Sequence, residues 1–107
     1  MAETNHAGEY EVVWPLGAST GEAVGMSATP ETLEGATIGF MWDYVFRGDE
    51  IFAQLTEILG ERYPGMRFVP YEYFGNIHSP QEREVVAAIP ERCAAESVDA
   101  VVVGIGN

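Results

Sequence analysis

Three apolar runs in this chain each end in residues that could act on a small molecule. "ATIGFMWDYVFRGDE" closes on Trp42, Asp43 and Tyr44, with Arg47 just beyond; "YFGNIHSP" carries Asn76 and His78; "VDAVVVGIGN" closes on Gly104, Gly106 and Asn107. Asp43 could serve as a general base or hold a substrate hydroxyl, with Trp42 and Tyr44 excluding water. It could equally be a loop carboxylate that caps the following turn. Arg47 offers a two-pronged fork to a carboxylate or phosphate, beside the free N–H groups of a helix start, unless it pairs with Asp49 or Glu50. Histidine is the side chain most easily tuned near neutral pH, so His78 could exchange a proton with substrate or activate a thiol. The plainer reading makes Asn76 a turn former and His78 an exposed polar residue. Gly104, Gly106 and Asn107 would let backbone N–H groups approach an anion or oxyanion, though a lone G-x-G is a weak motif.

These residues need elements to hold them. "ATIGFMWDY" reads as a strand. Ile51, Phe52, Leu55, Ile58 and Leu59 then recur at helical spacing, with Asp49 as a plausible N-cap and "YPG" as the stop. "MRFVPYEYF" reads as a second strand, its Pro70 indicating an edge position and Tyr71, Glu72 and Tyr73 alternating across it. Ser79, Pro80 and Glu82 form a capping-box signature for a second helix, with Val85, Val86, Ile89 and Cys93 on one face. Pro90 should kink or split that helix. "VDAVVVGIGN" is the third strand.

The expected fold is therefore α/β: a Rossmann-like β-α-β-α-β half of a parallel sheet, most simply of order 2-1-3, over residues 36–107. Residues 1–35, rich in Gly, Ala, Ser and Thr, read as an extended N-terminal arm, and His6 within it is discounted. Ligands in such sheets bind at the carboxyl ends of the strands, where the order reverses. A third parallel strand also needs cover. Exposing Val101, Val102, Val103 and Ile105 would forfeit about 6–10 kcal/mol, comparable with the whole stability of a small domain. The expectation is a second polypeptide that completes the sheet, giving a heterodimer or higher hetero-oligomer.

Composition narrows the partners. The 107 residues carry 17 acidic side chains against five arginines and no lysine, a net charge of −12, which argues against nucleic acid or an anionic membrane. No run reaches the ~20 apolar residues of a membrane span, and the N-terminal residues do not resemble a signal peptide, so a cytoplasmic protein is expected. One cysteine, Cys93, excludes an internal disulfide and a Cys-rich metal site. With no zincin pair, P-loop or G-x-G-x-x-G, no motif calls for a metal or nucleotide, and the cofactor is left unknown.

The ordered set of segments from residue 12 to 107 resembles the N-terminal portion of the UGSC-like (seleno)protein family. "VVWPLGASTGEA" is similar to the family's opening proline-glycine stretch, and Leu33, Gly35, Ile38 and Gly39 match its L-x-G-x-x-I-G strand entry. "VDAVVVGIGN" resembles the segment leading into a Cys- or Sec-Gly-Ser-Cys motif, which would begin one residue beyond Asn107; Cys93 does not match it. The resemblance implies thiol- or selenol-based chemistry on a small substrate, with the reactive Cys on the partner chain. A related reductase family matures by cleaving an Asn–Cys bond to leave a pyruvoyl group, and such a group on the partner is the less favoured alternative. The leading expectation is one subunit of a heteromeric enzyme, either a thiol-assisted reductase or a catalyst of hydration or elimination on a small carbonyl or carboxylate compound. Asp43 and His78 would be its acid/base residues, with Trp42, Tyr44, Arg47, Asn76, Gly104, Gly106 and Asn107 binding substrate. The competing expectation is a non-catalytic subunit that completes the partner's fold or carries substrate. A stand-alone binding module resembling a response regulator is poorer, because the arm has no helical period with which to cover the third strand.

Overall fold

A computed structural model of the chain describes residues 10, 11, 21 and 23–106. The elements follow as β1 (Thr37–Trp42), α1 (Gly48–Arg62), β2 (Arg67–Val69), α2 (Tyr71–Phe74), α3 (Glu82–Ala87), α4 (Ile89–Ala95) and β3 (Ala100–Gly104). The three strands form one parallel sheet of order β2-β1-β3. This is the expected α/β arrangement in the expected strand order.

β1 is buried along its whole length, as a central parallel strand covered on both faces must be. Strand alternation sends Ile38, Phe40 and Trp42 to one face, where they pack with Phe52 and Leu55 of α1. Met41 points to the other face and joins Val69 and Phe74, over which Ile89 and Cys93 of α4 are laid. Gly39 shares that face, and it is a close fit: an added Cβ would lie 3.1 Å from the Phe74 ring.

Three local readings need correction. The second strand is short, because Pro70 lacks the N–H a ladder needs and leads straight into a helical turn. Tyr71, Glu72 and Tyr73 therefore lie on α2 and do not alternate along a strand. Asp49 is not the N-cap of α1; Arg47 occupies that position without a side-chain cap bond, and Asp49 sits in the first turn, where its charge favours the helix dipole. Ser79 does not cap α3 either. Its hydroxyl accepts from the Gln81 N–H at 3.2 Å in a turn that precedes the helix, and Gln81 holds the N-cap position. The long second helix does divide before Pro90, which sits in the first turn of α4, where its missing N–H costs nothing.

β3 is covered on one side only. Ala100 and Val102 pack toward α1, whereas Val101 and Val103, aligned with Gly39 and Met41, remain 37% and 48% exposed, and Ile105 is 71% exposed. Among the described residues β3 pairs with β1 alone, so its other edge is unpaired. Of the arm, residues 23–30 have no regular structure and Leu33 packs against the α1-side core. His6 and most of the "VVWPLGASTGEA" stretch lie outside the described residues, as does Asn107. No helix among the described residues is long and apolar enough to cross a membrane.

Candidate functional site

Beyond Trp42 the chain leaves the sheet through a tightly wound loop. Tyr44 and Phe46 both adopt left-handed backbone conformations, with φ of 64° and 65°, uncommon for bulky residues. The loop is held by two internal bonds. The Trp42 indole N–H donates to the Val45 carbonyl (2.9 Å), and the Val45 N–H donates to Asp43 Oδ1 (3.1 Å). Gly48 permits the first of these, since a Cβ there would lie 2.3 Å from the indole nitrogen.

The second oxygen of Asp43 reaches across the sheet. The Gly106 N–H donates to Oδ2 at 3.0 Å, while the Asp43 N–H donates to the Gly104 carbonyl at 3.3 Å. Asp43 is 7% exposed, so its carboxylate joins the carboxyl ends of β1 and β3 out of bulk water. Both oxygens already accept backbone N–H groups. Such a carboxylate is a clasp first, whatever else it does.

Asn76 and His78 arrive from the other side. After α2, Gly75 takes φ 91° and ψ 178°, a conformation open essentially to glycine, and returns the chain to an extended path. Asn76 then makes a parallel bridge with Trp42, and the Ile77 N–H donates to the Trp42 carbonyl at 3.2 Å. Asn76 therefore still reaches the carboxyl end of β1. Its side chain accepts from the His78 N–H (2.9 Å), shaping the turn that presents His78. The imidazole is 76% exposed, with Nδ1 3.5 Å from Glu82 Oε2, an ion pair when His78 is protonated; Nε2 has no partner among the described residues.

These segments enclose a cavity of about 450 Å³ lined by Asp43, Val45, Ile77, His78, Ile105 and Gly106. It lies between the carboxyl ends of β1 and β3, where the strand order reverses, the place a ligand takes in doubly wound sheets. Asp43, His78 and Gly106 are brought together here. Trp42 and Tyr44 are not: the indole faces α1, and the phenol ring stacks on it at 4.9 Å. Arg47 also lies outside, with Nε 3.3 Å from Glu50 Oε2. Gly104 borders a smaller neighbouring hollow of about 200 Å³ with Trp42, Phe46 and Ile51.

The model of the UGSC family matches residues 11–107, nearly the whole chain. The chain belongs to the UGSC family. No curated protein and no solved structure matches it. In this UGSC-family chain the one thiol, Cys93, is half-buried on α4 and lines a different cavity, with Met26–Pro30 and Val98–Val101. Ile77, Val45 and Ile105 are the lining residues the motifs did not single out. The apolar residue between Asn76 and His78 was the available signal for Ile77. Among the described residues no three His, Cys, Asp or Glu side chains gather as a metal-binding set.

Proposed function

We propose that this chain is one subunit of a heteromeric enzyme and supplies half of a site shared with the polypeptide that completes its sheet. The observation that carries the reading is the cavity at the switch between β1 and β3, with one uncommitted imidazole nitrogen beside a mostly apolar wall. His78 is the acid/base residue. Asp43, expected to share that role, instead fixes the loop and the Gly106 turn around the substrate. The completing polypeptide adds a strand at the free edge of β3, covers Val101 and Val103, and brings the reactive Cys of the family motif. The substrate is a small carbonyl or carboxylate compound, and the chemistry is thiol-assisted reduction or hydration/elimination. A cytoplasmic setting suits the single free thiol, Cys93.

The second reading, a non-catalytic subunit, draws on specific contacts. Both Asp43 oxygens are engaged by backbone donors, and His78 is paired with Glu82 at the surface. The test uses the chain bound to its completing polypeptide and a panel of 2-oxo and α,β-unsaturated carboxylates, with and without dithiothreitol. His78→Gln is expected to lower kcat by at least about 100-fold while the complex still forms. Wild-type turnover in that variant overturns the catalytic reading in favour of the non-catalytic one. Turnover that needs dithiothreitol assigns the reduction; turnover without it assigns hydration or elimination.

A further inference from the structure

On the α1 face, away from the shared site, lies a separate cavity of about 470 Å³ between α1, β2 and α2. Its base is aromatic. Phe40 stacks on Phe52 at 4.6 Å and on Phe68 at 5.8 Å, and Tyr71 closes one end, held edge-on against Trp42 and Tyr44. Ala53, Thr56 and Pro70 complete the apolar wall, and two carboxylates, Asp49 and Glu72, stand at the mouth.

Nothing among the described residues answers those charges. Neither Asp49 nor Glu72 has a hydrogen bond or ion pair to the described residues, and the Tyr71 hydroxyl has no hydrogen bond there. The chain has no lysine, and three of its five arginines are committed elsewhere: Arg47 to Glu50, Arg67 to Glu96, and Arg92 to the Tyr73 ring and carbonyl. Independently, the Tyr71 phenol is pushed above its ordinary range, by burial first and then by Glu72 and Asp49, so both carboxylates are felt inside the cavity.

We propose that this cavity binds a small organic ammonium compound, its charged nitrogen between Asp49 and Glu72 and its hydrocarbon or aryl body on the Phe40–Phe52–Phe68–Tyr71 base. The pairing is one of charge and surface together. The half-buried Phe68 and Tyr71 rings take the apolar body over the buried Phe40 and Phe52, the carboxylates favour the cation, and the volume lies in the range of small-molecule sites. A hard metal ion fits less well, because it wants six or more oxygens and the cavity offers two carboxylates over an apolar base. The assignment is independent of the acid/base reading of His78.

The test is titration of the full ¹⁵N-labelled chain, in the assembly it forms when purified, with 2-phenylethylammonium, neutral 2-phenylethanol and anionic 3-phenylpropionate at equal ionic strength. Saturable amide shifts are expected at residues 49–56 and 68–72 with the ammonium ion, about tenfold tighter than with the alcohol, and none with the carboxylate. Asp49→Asn with Glu72→Gln, both at exposed positions, should bring the amine down to the alcohol's affinity while the rest of the spectrum is unchanged. Equal binding of amine and alcohol overturns the proposal. So does a failure to saturate by roughly 50 mM, or a response spread over unrelated carboxylates such as Glu57 and Glu61.

Discussion

Replacing Asp43 with alanine removes a side chain that hydrogen-bonds the β1 loop to the tail of β3. Two backbone donors, the N–H groups of Val45 and Gly106, lose their acceptor together. An unsatisfied buried donor costs about 1–3 kcal/mol, so the pair could cost about 2–6 kcal/mol. Asp43 also lines the 450 Å³ cavity, where water can follow the lost carboxylate and replace part of its bonding. The expected loss is therefore about 2–3 kcal/mol, a large share of the ~5–15 kcal/mol that holds a small domain together. With a urea slope of about 1–3 kcal/mol/M, the unfolding midpoint should fall by about 1–2 M. Hydrogen exchange locates the effect: the Val45 and Gly106 amides should lose protection before the β1 amides do. Asp43→Asn, which keeps one acceptor oxygen but turns an NH₂ toward the other donor, should fall between alanine and wild type. An alanine variant whose midpoint moves by less than about 0.3 M, with protection at Val45 and Gly106 unchanged, refutes the clasp.

Gly48→Ala should destabilise the chain by about 2 kcal/mol or more and red-shift tryptophan emission, because its Cβ would displace the Trp42 indole from its bond to Val45. Gly75→Ala should cost about 1–3 kcal/mol in the same urea assay, since φ 91° with ψ 178° strains any residue that has a Cβ. The folded-state pKa of Tyr71 is raised, so its stabilising contribution is complete below the ordinary phenol value of about 10 and is lost as pH rises through the higher folded value. Absorbance titration near 295 nm should show one late-ionising tyrosine that disappears in Tyr71→Phe and moves earlier in Glu72→Gln. Val101→Thr with Val103→Thr, placed on the exposed face of β3, should weaken assembly with the proposed completing polypeptide while leaving the midpoint of the isolated chain nearly unchanged.

Local patterns were enough for the order of the three strands and for the helical stretches between them. The apolar run of β1, the helical spacing of Ile51 to Leu59 and the break before Pro90 are set by residues a few positions apart, and each is an element in the fold. The 2-1-3 order is the simplest that right-handed crossovers allow, and the sheet has it. The period-2 alternation also decides where Trp42 points. Ile38, Phe40 and Trp42 share a parity, which sends the indole to α1 and away from the cavity. The second strand is shorter than its composition suggests: "FVPYEYF" is strand-like throughout, but Pro70 withdraws the N–H that strand pairing requires and Tyr71–Phe74 close a helical turn instead. What Asp43, Asn76 and His78 touch was not written locally at all. Asp43 meets Gly106 across 63 residues, and Asn76 meets Trp42 only because Gly75 turns the chain back to β1. Sequence alone placed polar residues at strand ends, since secondary structure depends on near neighbours. Which of those residues share a cavity, and which have their hydrogen bonds spent on the backbone, depended on parallel strands bringing distant segments to one edge of the sheet.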